Sequence, residues 1–498
     1  MEFLKEHDLF NVGELFPPQS HFERIQNYKT NKKLFEGHHC EVFKPNVAKN
    51  AKELLYISVN LAGVVCKKSA DFLFGEDLKL LVSGGDGTPE QGAINRICET
   101  NNLNTLLYES ALSNAYKGDS FIKVRYGQEF NGELPPELDE PRVIIENLNP
   151  EYVFPETVPW DKNKIKAYHI AIPAFEEETN QWVLHLETHA PGKITYGKYK
   201  LAPLYLNKDQ EVERFTIVGT IEGSFFEVAT GVPTPLIVHI PNTSTVESWR
   251  GKDDLTEHHA LLDEINNRLS QISDILDKHA NPAMAVPAGL LSEDEDGNAT
   301  FRVATDKVFE IMGKEDVTPQ YITWNGNLNE AFMELDRLVD LFLMSAEVPA
   351  IVLGKDTGTS GTGSLAIKWQ MNSLLAKINR KRQYYNKGIK QVLYIAQKLE
   401  EVVGIADYKI TIPSLQFQDG LPKDDLEQAN IMAIRTGGAK TISQKSAIML
   451  LNNMTEEQAQ AEIEKIKEEV SEETVEATPS IFNENTPFDT LDTTEPNQ

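Results

Sequence analysis

A lysine among glycines and hydroxyls is where phosphate chemistry would first be sought. Residues 354–363, Gly-Lys-Asp-Thr-Gly-Thr-Ser-Gly-Thr-Gly, supply such a stretch. In a phosphate loop the glycines let backbone N–H groups cradle the anion, and a lysine followed by Ser or Thr completes the charge and the metal ligand. Here Lys355 stands second, far from that position, and Thr357, Gly358, Thr359, Ser360, Gly361, Thr362 and Gly363 follow with no second lysine. The stretch reads instead as a loop too glycine-rich to hold a fixed element by itself. Residues 83–87, Ser-Gly-Gly-Asp-Gly, lack both the Gly-Lys-Ser/Thr and the Gly-x-Gly-x-x-Gly spacing and read as a turn.

The other chemistry-bearing residues form no recognisable constellation. His185 and His189 fall at strand spacing with no clear third metal ligand. His258 and His259 are adjacent, so they point in different directions and read as packing or polar surface. Residues 293–298, Glu-Asp-Glu-Asp-Gly-Asn, resemble a calcium loop, but the glycine is out of register and the closing Glu is missing. Cys40, Cys66 and Cys98 have no metal spacing, which fits a reducing compartment. There is no Gly-x-Ser-x-Gly elbow and no His-Glu-x-x-His helix. In a chain with 76 Asp+Glu, carboxylate pairs by themselves identify nothing. No catalytic residue, cofactor or metal is expected. The alternative is an enzyme acting on nucleotides or nucleic acid through the 354–363 loop, which a nucleotide-binding titration would separate.

The elements that flank the loop are strongly patterned. Asn327 with Glu330 makes an N-cap with Glu at the third helical position. Leu328, Phe332, Leu335, Val339 and Phe342 then recur at steps of four and three, one apolar face of a helix. Glu330, Glu334 and Arg337 share a face away from Leu328, Phe332 and Leu335, either facing a channel or meeting an adjacent subunit. Pro349 stops the helix. Beyond the loop, Ser364 can cap a second helix that reads unbroken to about Val403, roughly 58 Å at ~1.5 Å per residue.

Charge sets this segment apart. The whole chain has 48 Lys+Arg against its 76 acids, a formal net charge of −28. From 357 to 399 there is no acid, while Lys368, Lys377, Arg380, Lys381, Arg382, Lys387, Lys390 and Lys398 all fall there. That run is either a solvated face or subunit contact, or lies near a polyanion or an acidic neighbouring subunit. The overall acidity argues against a general nucleic-acid binder.

At 498 residues the chain has length for about three domains. Its N-terminus carries acids where a signal peptide needs a basic start, and no run of about eighteen apolar residues exists, so a soluble intracellular product with no membrane segment is expected. Residues 1–50 show little period. A helix is expected from a cap at Asn46 to Phe74, and another over 91–116, leading into a strand over 121–126. Short strands, among them 143–145, 168–172 and 182–186, fill the stretch to Ile240 as a β-rich subdomain. Asp254-Leu255-Thr256-Glu257 reads as a capping box, opening a helix striped by Leu255, Leu262, Ile265, Leu269, Ile272 and Leu276. Between this helix and the one from 328, residues 283–324 read as a small β module with a hairpin at Asp-Gly-Asn and strands over 301–303 and 307–311, so the two helices are expected to pair. Residues 408–412 read as a strand, 424–470 as helices broken at Gly437-Gly438 and Asn452-Asn453, and 471–498 as a disordered acidic tail.

In this order the elements resemble the portal proteins of tailed double-stranded-DNA bacteriophages, over roughly residues 25–470 and most closely those of long-tailed phages of Gram-positive hosts. The strings carrying the resemblance are Leu34-Phe35-Glu36-Gly37-His38, Leu73-Phe74-Gly75-Glu76, Ile240-Pro241-Asn242 ahead of Gly251-Lys252-Asp253-Asp254-Leu255, Val348-Pro349, and Thr441-Ile442-Ser443. The resemblance implies an α+β portal fold of long helices and small β modules. Its parts would be a wing over 1–253, stem helices over 254–281 and 327–348, and a clip over 282–326. A tunnel loop over 349–364, a long wing helix and strand over 365–423, and a crown over 424–470 would complete it, followed by the tail. It further implies a homo-oligomeric ring, twelve subunits in the family, at one capsid vertex of the virion, assembled in the host cytoplasm, with DNA packaged and ejected through its centre. Terminase, a head-completion adaptor, and the major capsid and scaffold proteins would be its partners. Lys355 and residues 357–363 would face DNA, Glu330, Glu334 and Arg337 would line the channel, and the protein would not be an enzyme.

Overall fold

The computed structural model describes residues 9–44, 56–83, 85, 87–130, 134–135, 137–206, 212–280, the pairs 284–285, 292–293, 299–300 and 320–321, then 328–355, 364–418, 420, 425–438, 440–452, 454 and 456–476. Helices and antiparallel sheets share the chain, the α+β class expected from the sequence.

The polar N-terminal stretch is where the sequence reading fell short. It forms α1, Gln19–Glu36, whose buried residues are His21, Arg24, Ile25, Tyr28, Asn31 and Leu34. Their spacing is helical, but four of the six carry hydrogen-bonding side chains or charge, so no apolar stripe announces the helix. After the short α2, His39–Phe43, comes α3, Leu61–Phe74, capped by Asn60, whose side chain accepts from Gly63 N at 2.8 Å. The expected cap at Asn46 lies outside the described residues, and the described helix begins at Leu61. β2, Lys79–Leu81, follows. The single helix expected over 91–116 is two, α4, Pro89–Thr100, and α5, Leu103–Lys117. Asn102 between them takes a left-handed conformation, φ 46°, that asparagine tolerates better than most residues.

Alternation of apolar and polar residues builds the largest sheet. It runs β1 (Leu15–Phe16), β9 (Val212–Thr220), β8 (Lys193–Leu206), β7 (Gln181–Ala190), β6 (Asp161–Glu176), β5 (Val153–Val158), with β10 (Phe226–Ala229) also on β8. One face buries Ala171, Leu184, Leu201, Phe215 and Ile217 with Phe154, against Phe10, Phe16 and Ile25. Ile172 and Val218, one residue out of phase, are exposed. A second sheet orders β11 (Ile237–Pro241), β3 (Asp119–Gly127) and β4 (Arg142–Leu148), and both α5 and the long helix α9 pack on it.

That long helix is nearly as expected. α8, Ser364–Gln370, and α9, Asn372–Val403, are separated by one turn residue, Met371, and Gly404 ends α9 in a left-handed cap. α9 buries Leu374, Ile378, Tyr385, Ile389, Val392, Leu393 and Ala396. A Cβ on Gly388 would lie 2.5 Å from Ile240 Cδ1, so the Ile240 side chain fills the space a larger residue there would need. The strand expected over 408–412 does not form. The buried Gln397 amide satisfies Thr411 instead, accepting from its N–H and donating to its carbonyl, both at 2.9 Å, and the strand β16, Ser414–Gln416, forms just beyond on β2.

The helix α6, His259–Ala280, and α7, Leu328–Ser345, lie against each other as expected. Between them β12, Met284–Ala285, pairs with β15, Gln320–Tyr321, and β13, Ser292–Glu293, with β14, Ala299–Thr300, on either side of the expected turn. The strands expected over 301–303 and 307–311 lie outside the described residues. The chain forms two compact units, Met1–Gly420 and Leu421–Gln498. The second unit holds α10, Asp425–Thr436, α11, Gln444–Asn452, and α12, Glu456–Glu476, with Ser443 Oγ capping α11 at Ser446 N. α12 continues past Ser471, where a disordered tail was expected to begin, and residues 477–498 lie outside the described residues.

Candidate functional site

Polar contacts help to tie the paired helices α6 and α7 together. At the base His258 packs edge-on against the buried Phe342 ring, 5.7 Å between centroids, and its Nδ1 meets Ser345 Oγ at 3.2 Å. Further along, Arg268 on α6 reaches Glu334 on α7 at 3.1 Å and its own neighbour Glu264 at 3.0 Å. Of the three residues singled out on α7, Glu330 and Arg337 are exposed, and Glu334, also exposed, is held by Arg268 at the seam between the helices. On the apolar face expected of α7, Leu328, Leu335 and Val339 are half-buried. Phe342 and Leu343 are buried, but Phe332, Met333, Leu341 and Met344 stand exposed, Met333 at 71%.

The loop after α7 leads into the glycine-rich stretch. Gly354 adopts a left-handed conformation, φ 77°, and Lys355 beyond it is exposed, 3.5 Å from Asp340 on α7. Thr357, Gly358, Thr359, Ser360, Gly361, Thr362 and Gly363 lie outside the described residues.

Where α6 begins, two of the strings noted in the sequence close on one another. Asn242 N donates to Gly118 O at 2.8 Å, and a Cβ on Gly251 would sit 1.9 Å from that same oxygen. Position 251 therefore admits glycine alone. Gly251 N in turn donates to Asp119 at 2.8 Å, which also accepts from Tyr28 at 2.5 Å and pairs with His239 at 2.7 Å. Burial, then the Asp119 charge, pushes the Tyr28 phenol far above its ordinary range.

Asp254 is the centre of this junction. The sequence reading made it a helix cap, but Asp253 performs that task, accepting from Leu255 N at 2.8 Å and Thr256 N at 2.6 Å. Asp254 points inward. Its carboxylate takes Lys381 at 2.5 Å, Lys377 at 3.3 Å, Ser69 Oγ at 3.0 Å and Asn242 Nδ2 at 2.9 Å. Burial alone would raise this carboxyl; the Lys377 and Lys381 charges reverse that and hold it below the ordinary carboxylate range. Burial lowers the Lys381 ammonium, against the pull of Asp254. Lys377 also donates to Ala346 O at 3.0 Å, and Arg380 pairs with Glu347, which stands at φ 58°. So α9 grips both the start of α6 and the end of α7.

This accounts for much of the basic run. Five of the eight cations find partners within the chain: Lys377 and Lys381 on Asp254, Arg380 on Glu347, Lys398 on Glu401, and Arg382 on backbone carbonyls of Phe72 and Gln418. Lys368 and Lys387 are exposed. The role of Asp254 had one signal in the sequence: an acid-free run containing lysines four apart must find counter-charge elsewhere.

The histidines carry no metal geometry. His185 pairs with Glu176 at 3.6 Å and the fully buried His189 with Glu187 at 2.9 Å, and no group of three metal-binding side chains occurs among the described residues. Among those residues no helix is long and apolar enough to cross a membrane.

Residues 18–476 match the family model described as phage portal protein, SPP1 Gp6-like. The chain belongs to that family and is a phage portal protein, a structural component of a bacteriophage virion. Among solved structures it is similar to a chain in the virion of a native gene transfer agent particle, at 11% sequence identity and a TM-score of 0.43, covering 82% of this chain and 94% of that one. No curated protein matches.

Proposed function

We propose that this portal protein forms a closed ring of about twelve copies at one capsid vertex, through which double-stranded DNA is packaged and later ejected. In this reading 254–281 and 327–348 are the stem, 282–326 the clip, 349–364 the tunnel loop, 365–423 with 1–253 the wing, and 424–470 the crown. The clip meets terminase during packaging and the head-completion adaptor afterwards, and major capsid and scaffold proteins are further partners. Ring assembly takes place in the host cytoplasm, and the branch is that of long-tailed phages of Gram-positive hosts. Lys355 and residues 357–363 face the DNA, and Glu330, Glu334 and Arg337 lie toward the channel.

One observation carries the ring. α7 leaves Phe332, Met333, Leu341 and Met344 in water on a helix that also bears Glu330, Asp336 and Arg337. A neighbouring copy related by rotation would cover such apolar side chains, and a closed ring of copies of a chain of net charge −28 would leave an acidic central opening. Negative charge there suits a passage through which phosphates slide without being gripped, since each neutralised phosphate adds affinity. End-on electron micrographs and native mass measurement of the purified protein test the reading. A closed ring with a central hole is expected, and a monomer that persists across concentration and salt would sink it.

A further inference from the structure

A cavity of about 180 Å³ opens between the start of α1, β5 and the loop at 248–250, away from the paired helices and the Asp254 junction. Three features give it a positive character. His21, only 8% exposed, lines it, and its ring makes no hydrogen bond among the described residues, packing on Phe154 and Trp249. Arg250 lines it as well, half-buried, with its guanidinium over the Tyr28 ring and in no ion pair among the described residues. Arg24, 3% exposed, spends its two terminal nitrogens on Tyr28, Pro150 O and Val153 O, which fixes its charge in the wall while Nε stays unpartnered. The first turn of α1 adds to this, for the helix starts after Pro18 with no side-chain cap and no acid.

Two carboxylates, Glu23 and Glu156, share the wall. Glu156 is already paired with Lys166 at 2.8 Å and His169 at 3.3 Å. Glu23 is exposed. Burial, followed by the charges of Arg24, His169 and Arg250, drives the His21 imidazole well below its ordinary range.

We propose that this cavity is an oxyanion site, taking one phosphate or carboxylate group between His21, Arg250 and the first turn of α1. The Arg250 fork would bind the anion bidentately, and the neutral His21 ring would donate one N–H. The space exceeds that of a few waters at ~30 Å³ each, so the group can arrive as a free anion or on a short side chain.

The test is calorimetric titration of the full-length protein with sodium phosphate and, separately, sodium acetate, at constant ionic strength set by chloride. Saturable binding of phosphate alone assigns the site to phosphate groups, and of acetate alone to carboxylates such as an acidic side chain. Either result supports the proposal when Arg250→Gln weakens it by about tenfold or more and His21→Gln weakens it too. Circular dichroism checks that each variant is folded. If Arg250→Gln is not, Arg250→Lys keeps charge and bulk but lacks the fork, and severalfold weaker binding is expected. Absence of saturable binding by both anions overturns the site. So does binding unchanged in the folded Arg250 and His21 variants, which would mean the anions sit elsewhere.

Discussion

Lys381 on α9 reaches the Asp254 carboxylate at 2.5 Å, with both side chains buried, and so joins the long helix to the foot of α6. Asp254 answers two lysines, so the three groups together are one positive charge in excess. Asp254→Asn would leave two buried ammonium groups facing each other with no counter-ion. A loss of ~3–5 kcal/mol in unfolding free energy is expected. Lys381→Met should cost less, because Lys377 remains to pair with the carboxylate. Urea unfolding of the three proteins checks the order, and an Asn variant as stable as the parent would refute the assignment.

The junction glycine gives a second prediction. Gly251→Ala places a Cβ 1.9 Å from Gly118 O, a backbone atom that cannot step aside. The Gly118–Asn242–Asp254 chain of hydrogen bonds must then break, and expression of folded protein should collapse. Gly219→Ala, with nothing within 4 Å of the added Cβ, is the matched control and should be neutral. Equal melting temperatures for the two variants would count against the packing described.

Stability should fall as acid is added, in two stages. Burial depresses His39, His189, His258 and His259 below 6.5, so the unfolded chain binds more protons there and stability is complete above pH 6.5 and declines below it. The His169 hydrogen bond, against burial and with help from Lys166, holds Glu156 at about 2. Burial opposes Glu187, but His189 and Lys123 hold it at about 2 too. Both lie below their ordinary 4.5, so their contribution is present above pH 4.5 and is lost between there and about pH 2. Chemical unfolding at several pH values should show stability rising with pH through both windows. A flat profile from pH 4 to 7 would show that these histidines do not stay neutral in the folded chain.

The exposed apolar residues of α7 separate folding from assembly. Met333→Ser with Met344→Ser removes side chains that touch mostly water in the single chain, so its melting temperature should change little. If neighbours cover them, each lost side chain costs the ring ~1.5–3 kcal/mol per interface, and dissociation should appear at concentrations where the parent stays assembled. Rings of unaltered stability by native mass measurement would place α7 away from the subunit contact.

A charge reversal tests the proposed channel. Because Glu334 is tied to Arg268, Glu334→Lys would set like charges together and disturb the helix pair, whereas Glu330 has no such partner among the described residues. Glu330→Lys alone is therefore the cleaner change. Intact rings, slower packaging and partial recovery at higher ionic strength are expected if position 330 meets phosphates. Unchanged packaging at low salt would place it away from the DNA.

What could be read in advance followed from how each residue is stabilised. The paired helices and the strands at 168–172 and 182–186 were visible because their buried positions are apolar and periodic. α1 was not, since Arg24, Tyr28 and Asn31 are buried through hydrogen bonds to distant residues such as Val153, Asp119 and Thr256. Asp254 was misread for a related reason: an acid just before a helix is a cap if solvated and an ion-pair partner if buried, and only the long-range contact decides. The strand expected over 408–412 failed because a glutamine side chain, Gln397, did the work of a neighbouring strand.

The pairing of Met284 with Tyr321 and of Ala285 with Gln320 has an evolutionary reach beyond its two rungs. It fastens the departing and returning chain side by side just past α6 and before α7. Whatever lies between is then a cassette, whose length and sequence can drift without altering the separation or register of the helices that carry it. A lineage could rewrite the insert and leave the paired helices untouched.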